Sequence, residues 1–174
     1  MQNIAYICAI NYTLIYYIAM YYTLNIPVKP YVKDYFEHLY GSPVVASKNN
    51  IIGITIEPYL SKTPSKPLIN ASESSMEVEL VWTLKEYNYK DPRVYNYISP
   101  DNLKMFASTL DKLFWWGFYA YLDGNTLNGR NDMNKQLIYD FMDKFNLNPD
   151  NANYEMFKKR YYRYSKKFDV LSSK

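Results

Sequence analysis

The spacing of apolar residues along the chain changes period several times, and each change marks an element. From Met20 to Val28, Tyr22, Leu24, Ile26 and Val28 occupy alternate positions, with Pro27 and Pro30 closing the run. A period of two is that of a strand with one buried side. Pro30 to Tyr40 instead places Val32, Phe36 and Leu39 on one helical face with Tyr35 beside them, and Gly41 follows, which predicts a short amphipathic helix with a glycine stop. Two apolar runs, Pro43 to Ala46 and Ile51 to Ile56, flank Ser47-Lys48-Asn49-Asn50. Turn-forming residues between apolar runs predict a hairpin. Ser61 to Ser75 collects Ser, Thr, Pro and Lys and reads as a mobile loop. Met76 to Leu84 alternates Met76, Val78, Leu80, Trp82 and Leu84 with Glu77, Glu79, Val81 and Thr83, the clearest strand pattern in the chain. Val94 to Ile98 is expected to return antiparallel to it after the turn Lys90-Asp91-Pro92.

Beyond residue 98 the period becomes helical. Ser99-Pro100-Asp101 supplies a capping side chain, a proline where no amide donor is needed and a carboxylate facing the helix dipole. The helix is expected to run to about Leu122, its stripe formed by Leu103, Phe106, Leu110, Leu113, Phe114, Phe118 and Leu122 and widened by Trp115, Trp116 and Tyr119. A stripe this wide serves a core, or a homodimer or partner contact through Phe106 to Phe118. A second helix is expected from about Asn131 to Phe145, turning Met133, Leu137, Ile138, Phe141 and Phe145 inward. Pro149 then opens a third, with Asn148 as cap and Asp150 in its first turn. The intervening Asn146-Leu147-Asn148 has the length of a helix-turn-helix connection. Asn146 suits the left-handed conformation, and Leu147 can plug the angle between the helices.

These elements predict an α+β protein: a small antiparallel sheet with one short helix, then a three-helix C-terminal part containing a helix-turn-helix-like pair. The expected organisation is an apolar extension over 1–19, a sheet-containing region over 20–98 and a helical, nucleic-acid-binding region over 99–174. The stretch Asn3 to Thr23 has no charged side chain and is long enough to cross a bilayer. Asn3, Asn11, Thr13, Thr23 and six tyrosines argue against an anchor, because polar groups in hydrocarbon are costly. It lacks the basic start and small-residue cleavage site of a secretory leader. The expectation is an extension or surface helix ahead of Met20, with a packed core element and an anchor as alternatives. As an anchor, it would leave the bulk of the chain cytoplasmic, since Lys29 and Lys33 are the nearest positive charges.

Composition changes the picture at one end only. The 174 residues suit one domain, or one domain with a helical appendage, and Cys8 is the sole cysteine, so no intrachain disulfide or thiolate metal cluster is available. The 21 tyrosines accompany abundant Asn, Ile and Lys, a bias that AT-rich coding produces, and most are read as ordinary ring packing. The net charge is only +3, but residues 150–174 hold seven basic and three acidic groups, a local +4, so the rest is about neutral. Projected as a helix, the third segment places Tyr154, Phe157, Tyr161, Tyr164 and Phe168 on a core side. Lys158, Lys159, Arg163 and Lys166 take the opposite side with Tyr162 among them, and Arg160 and Lys167 stand at the boundary. Such a face can neutralise several phosphates, with Asn151, Glu155 and Tyr162 as candidates for base-edge or sugar contacts. It can equally be a solvated face whose positive charge suits the helix C-terminus.

Little else in the chain suggests chemistry. His38 is the only histidine and is expected at a partly exposed helix edge rather than as a base. One His and one Cys rule against a histidine-cluster relaxase, a zinc finger and a Cys-His hydrolase. The five glycines are scattered and form no phosphate-cradling loop. Glu77 and Glu79 read as the wet side of a strand. Asp123 to Gly129 looks at first like a calcium loop, but Leu127 occupies a ligand position and Asn134 stands where the closing glutamate belongs. No catalytic residue, metal or cofactor is expected.

Two segments, Asn25-Ile26-Pro27-Val28-Lys29-Pro30-Tyr31-Val32-Lys33 with Tyr40-Gly41 after it, and Leu137 to Tyr164, together resemble small uncharacterised proteins of phages and mobile elements in gut bacteria. That resemblance implies a strand and helix leading into a sheet, followed by a helical end like a DNA-binding unit, and it transfers no catalytic residue. The chain departs from the pattern in the apolar stretch before Met20. The resulting expectation is a non-enzymatic accessory or transcriptional regulatory protein in the bacterial host cytoplasm, binding DNA rather than RNA. The alternative is a structural or interaction protein, such as a virion component, with Tyr- and Trp-rich contacts.

Overall fold

The computed structural model describes residues 20–47, 49–62, 75–82, 91, 93–127 and 134–172. The expectations for 1–19, for the loop beyond Lys62, for Thr83 and Leu84, for Asn131 to Met133, and for the side chains of Lys167 and Phe168 lie outside the described residues. In chain order the elements are β1 (Met20–Pro27), α1 (Pro30–Tyr40), β2 (Val44–Ala46), α2 (Ile51–Ile56) continuing into a 3-10 turn at Glu57–Tyr59, β3 (Ser75–Trp82), α3 (Pro100–Leu127), α4 (Asn134–Lys144) and α5 (Tyr154–Ser172). The protein is a mixed α+β fold with a small sheet, short helices and a helical C-terminal part.

β3 is the middle strand of three, in the order β1-β3-β2. β1 runs antiparallel to it, with Leu24 opposite Val78 and Ile26 opposite Met76. Over Met76 to Leu80 the alternation read from the sequence holds, because Met76, Val78 and Leu80 are buried while Glu77 is exposed; the side chains of Val81 and Trp82 lie outside the described residues. A one-residue slip would send those apolar side chains to water, which pins the register. β2 joins in parallel, with Val44 opposite Val78, so the sheet is mixed rather than wholly antiparallel.

The expected hairpin does not form, because Ile51 to Ile56 is helical. Asn50 caps it: its Oδ1 accepts from the Gly53 amide at 2.8 Å, and its Nδ2 donates to the Val45 carbonyl at 2.7 Å. Ile52 and Ile56, four apart, are buried while Ile54 is exposed, a helical period. Gly53 lies so close to the Ser47 backbone that a Cβ there would collide with the Ser47 carbonyl oxygen. Val94 to Ile98 forms no strand either; it contributes one isolated antiparallel bridge, Tyr97 to Ser61.

α3 opens as expected, with the Ser99 carbonyl accepting from Leu103 at 2.8 Å and the Ser99 hydroxyl from the Asn102 amide at 3.4 Å. It continues past Leu122 to Leu127. Asn125 and Thr126 turn their side chains back to the carbonyls of Tyr121 and Leu122 at 2.7 and 2.8 Å, so the calcium-like stretch from Asp123 to Leu127 is helix. Phe106, Leu110, Phe114, Phe118 and Leu122 are fully buried, and the stripe is spent on the chain's own core. Trp116 is the exception, 71% exposed.

The core is aromatic. Phe118 packs against Phe141 and Phe157 at 5.1 and 4.8 Å between ring centroids, and Tyr35 of α1 joins through Phe114 at 5.1 Å and Phe145 at 4.8 Å. Each ring removed from water contributes about 1.5–3 kcal/mol. Exposed Lys29 and buried Tyr31 both bond to Asp111, at 3.1 and 2.9 Å, and clasp the start of α1 to the middle of α3.

The link between α4 and α5 differs from the expected three-residue turn. Asn146 is left-handed at φ 49°; its amide donates to Asp143 at 3.1 Å and that of Leu147 to Met142 at 2.9 Å, the paired bonds of a Schellman stop. Leu147 is buried beneath it. Asn148 then caps only an isolated turn, accepting from Asn151 and Ala152 at 2.9 Å each. The helix itself begins after Asn153, whose Oδ1 accepts from the Met156 amide at 3.0 Å. Nine residues, 145–153, therefore separate the two helices, and the short connection that suggested a helix-turn-helix unit is replaced by a longer, folded one.

Candidate nucleic-acid interface

α5 is amphipathic in the sense expected. Phe157 is buried, and Tyr154, Tyr161 and Tyr164 are half-buried. Tyr164 stacks on Tyr119 of α3 with centroids 4.0 Å apart and planes 8° from parallel, and its hydroxyl donates to Asp123 Oδ2 at 2.7 Å. That bond to a carboxylate, with some burial, pushes the Tyr164 pKa up to about 12. The stack and the hydrogen bond hold α5 alongside the C-terminal half of α3.

The outer face carries Lys158, Lys159, Arg160, Tyr162, Arg163 and Lys166, all exposed. Lys158 is partly neutralised by Glu155 at 3.6 Å and lies 5.6 Å from the Tyr154 ring. The Arg160 guanidinium sits 5.0 Å over the buried Trp115 ring, a cation–π contact that fixes its position while leaving its donors free to point outward. Lys166 lies 4.6 Å over the Tyr162 ring. Among the described residues, Lys159 and Arg163 have no acidic partner. Asn151 falls in the turn before the helix and is half-buried, and Glu155 faces Lys158.

Between α3 and α5 lies an open groove of about 710 Å³, lined by Trp116 and Tyr119 on one side and by Arg160, Tyr162, Arg163, Tyr164 and Lys166 on the other. Four of the expected residues meet there: Arg160, Tyr162, Arg163 and Lys166. Lys158, Lys159, Asn151 and Glu155 do not line it. Trp116 and Tyr119 are the residues sequence reasoning missed as site residues, having counted both with the core stripe. A signal was available for Trp116, since two residues along a helix is a rotation of about 200° and places it opposite Phe114. Among the described residues the groove lining offers three positive charges, no acidic side chain and exposed aromatic surface, a combination suited to phosphates and flat rings.

His38 is exposed, its ring edge-on to Phe145 at 5.9 Å. The described residues hold no group of three or more His, Cys, Asp or Glu arranged for a metal ion. Among them, no helix is long and apolar enough to cross a membrane. Comparison with protein-family models, with curated proteins and with solved structures finds no match.

Proposed function

We propose that the protein is a non-enzymatic nucleic-acid-binding accessory or regulatory protein of a phage or mobile element, acting in the host cytoplasm through the outer face of α5. One observation carries the reading: Lys159, Arg160, Arg163 and Lys166 stand exposed along one regular helix, with no acid among the described residues that line the groove beside them. Clustered cations of this kind gain affinity by releasing counterions from a phosphate backbone. DNA is the expected partner.

The test is retention on a DNA column across a salt series. Wild-type protein binds at low salt, and its affinity falls steeply as salt rises. A Lys159→Glu, Arg163→Glu, Lys166→Glu variant, folded by circular dichroism, loses that retention. Equal retention of wild type and variant refutes the reading. The exposed ring of Trp116 favours a second one, a structural or virion protein using this groove as a protein contact. Such a contact would persist at high salt.

A further inference from the structure

We infer that the groove between α3 and α5 takes an unpaired nucleotide strand, with Trp116 and Tyr162 as base-stacking surfaces and Arg160, Arg163 and Lys166 as phosphate contacts. The inference rests on the nucleic-acid reading and deepens it by naming the form of the polymer. Trp116 is 71% exposed and Tyr162 59% exposed, so two large rings stand in water beside the cations that line the groove. A duplex already stacks its bases on each other and offers such rings only phosphates and groove edges. A single strand presents base faces to them.

The three cations follow one another along the helix. Arg160, Arg163 and Lys166 recur every three residues, a rise of about 4.5 Å per step. Arg160 is held in place by Trp115 beneath it, and Tyr164 is held by Tyr119 and Asp123, so the groove floor is organised without a ligand. A volume of about 710 Å³ lies within the size of sites that enclose small organic groups. The aromatic walls supply sequence-tolerant affinity, and the cations make it salt-dependent.

Fluorescence anisotropy on the full chain tests this, using labelled oligo-dT, oligo-U, a duplex of matched length and poly-glutamate. The expected result is single-strand binding at least tenfold tighter than duplex binding at the same salt, with dT and U distinguishing DNA from RNA as the source of the strand. Trp116→Ala should weaken single-strand binding about 5- to 150-fold, the range that one stacked base supports. It should leave duplex binding nearly unchanged, and Trp116→Phe should recover most of the loss. Circular dichroism checks that these surface variants stay folded. Duplex binding as tight as single-strand binding, or an equal effect of Trp116→Ala on both, overturns the single-strand inference and leaves nucleic-acid binding standing. Binding to none of the nucleic acids, or to poly-glutamate as tightly as to dT, overturns both.

Discussion

Replacing a glycine within a long helix normally stabilises it, and Gly117 of α3 should do the opposite. Alanine is favoured over glycine in a helix interior by about 1 kcal/mol. A Cβ at residue 117, however, would stand 2.6 Å from the Tyr35 hydroxyl oxygen and 3.4 Å from its Cζ. Tyr35 has little room to move, because its ring touches Phe36, Phe114 and Phe145 at 5.2, 5.1 and 4.8 Å between centroids. Overpacking of this kind costs about 1–3 kcal/mol, so Gly117→Ala should lose about 1 kcal/mol net.

Removing one oxygen reverses the sign. Among the described residues the Tyr35 hydroxyl has no hydrogen-bond partner, and Tyr35→Phe alone should fall within about 0.5 kcal/mol of wild type. In that background the nearest remaining atom is Cζ at 3.4 Å, and Gly117→Ala should stabilise by up to about 1 kcal/mol. The cycle therefore predicts a coupling of about 2 kcal/mol between the two positions. Urea unfolding followed by far-ultraviolet circular dichroism on the four proteins measures it. A Gly117→Ala protein more stable than wild type, or equally destabilised with and without the Tyr35 hydroxyl, refutes the reasoning.

Tyr164 gives the structure an alkaline limit. Its pKa is raised to about 12 in the fold, so its contribution is complete below the ordinary tyrosine value of about 10 and is lost as pH rises through the folded value. Tyr164→Phe should cost about 1–2 kcal/mol near neutrality and flatten the decline in stability above pH 10; parallel declines in the two proteins would dismiss the Asp123 bond as its cause. Asn153→Ala should destabilise by about 1 kcal/mol as a lost helix cap and by more than Asn148→Ala in thermal melts, and the reverse order would restore the helix start at Pro149. Gly53→Ala should cost about 3 kcal/mol or more, because the atom it meets is Ser47 backbone rather than a movable side chain; an unchanged melting temperature would contradict the close approach.

The parts of the fold that could be read in advance are those whose pattern is local and long. Met76, Val78 and Leu80 could face one way only in a strand, and the stripe from Phe106 to Leu122 could fit only a helix packed on its apolar side. Asn146 and Leu147 were legible because a helix stop needs a left-handed residue and an apolar plug within two positions. Ile51 to Ile56 was not. A six-residue apolar run suits strand and helix alike, and the decision rests on the Asn50 cap and on how closely Gly53 approaches Ser47. The start of α5 was ambiguous for a similar reason, because Asn148 and Asn153 are both competent caps and local pattern does not say which one opens the long helix.

The chain by itself determined the class of the fold, the composition of its core and the cationic face of its last helix, since each follows from the periodicity of a single element. Only the tertiary structure decided that β2 lies parallel beside β3, that α5 runs against α3, and that Trp116 stands across a groove from Arg163. Those are relations between segments far apart in sequence. They depend on which buried faces fit together, and no single helix or strand carries that information in its own spacing.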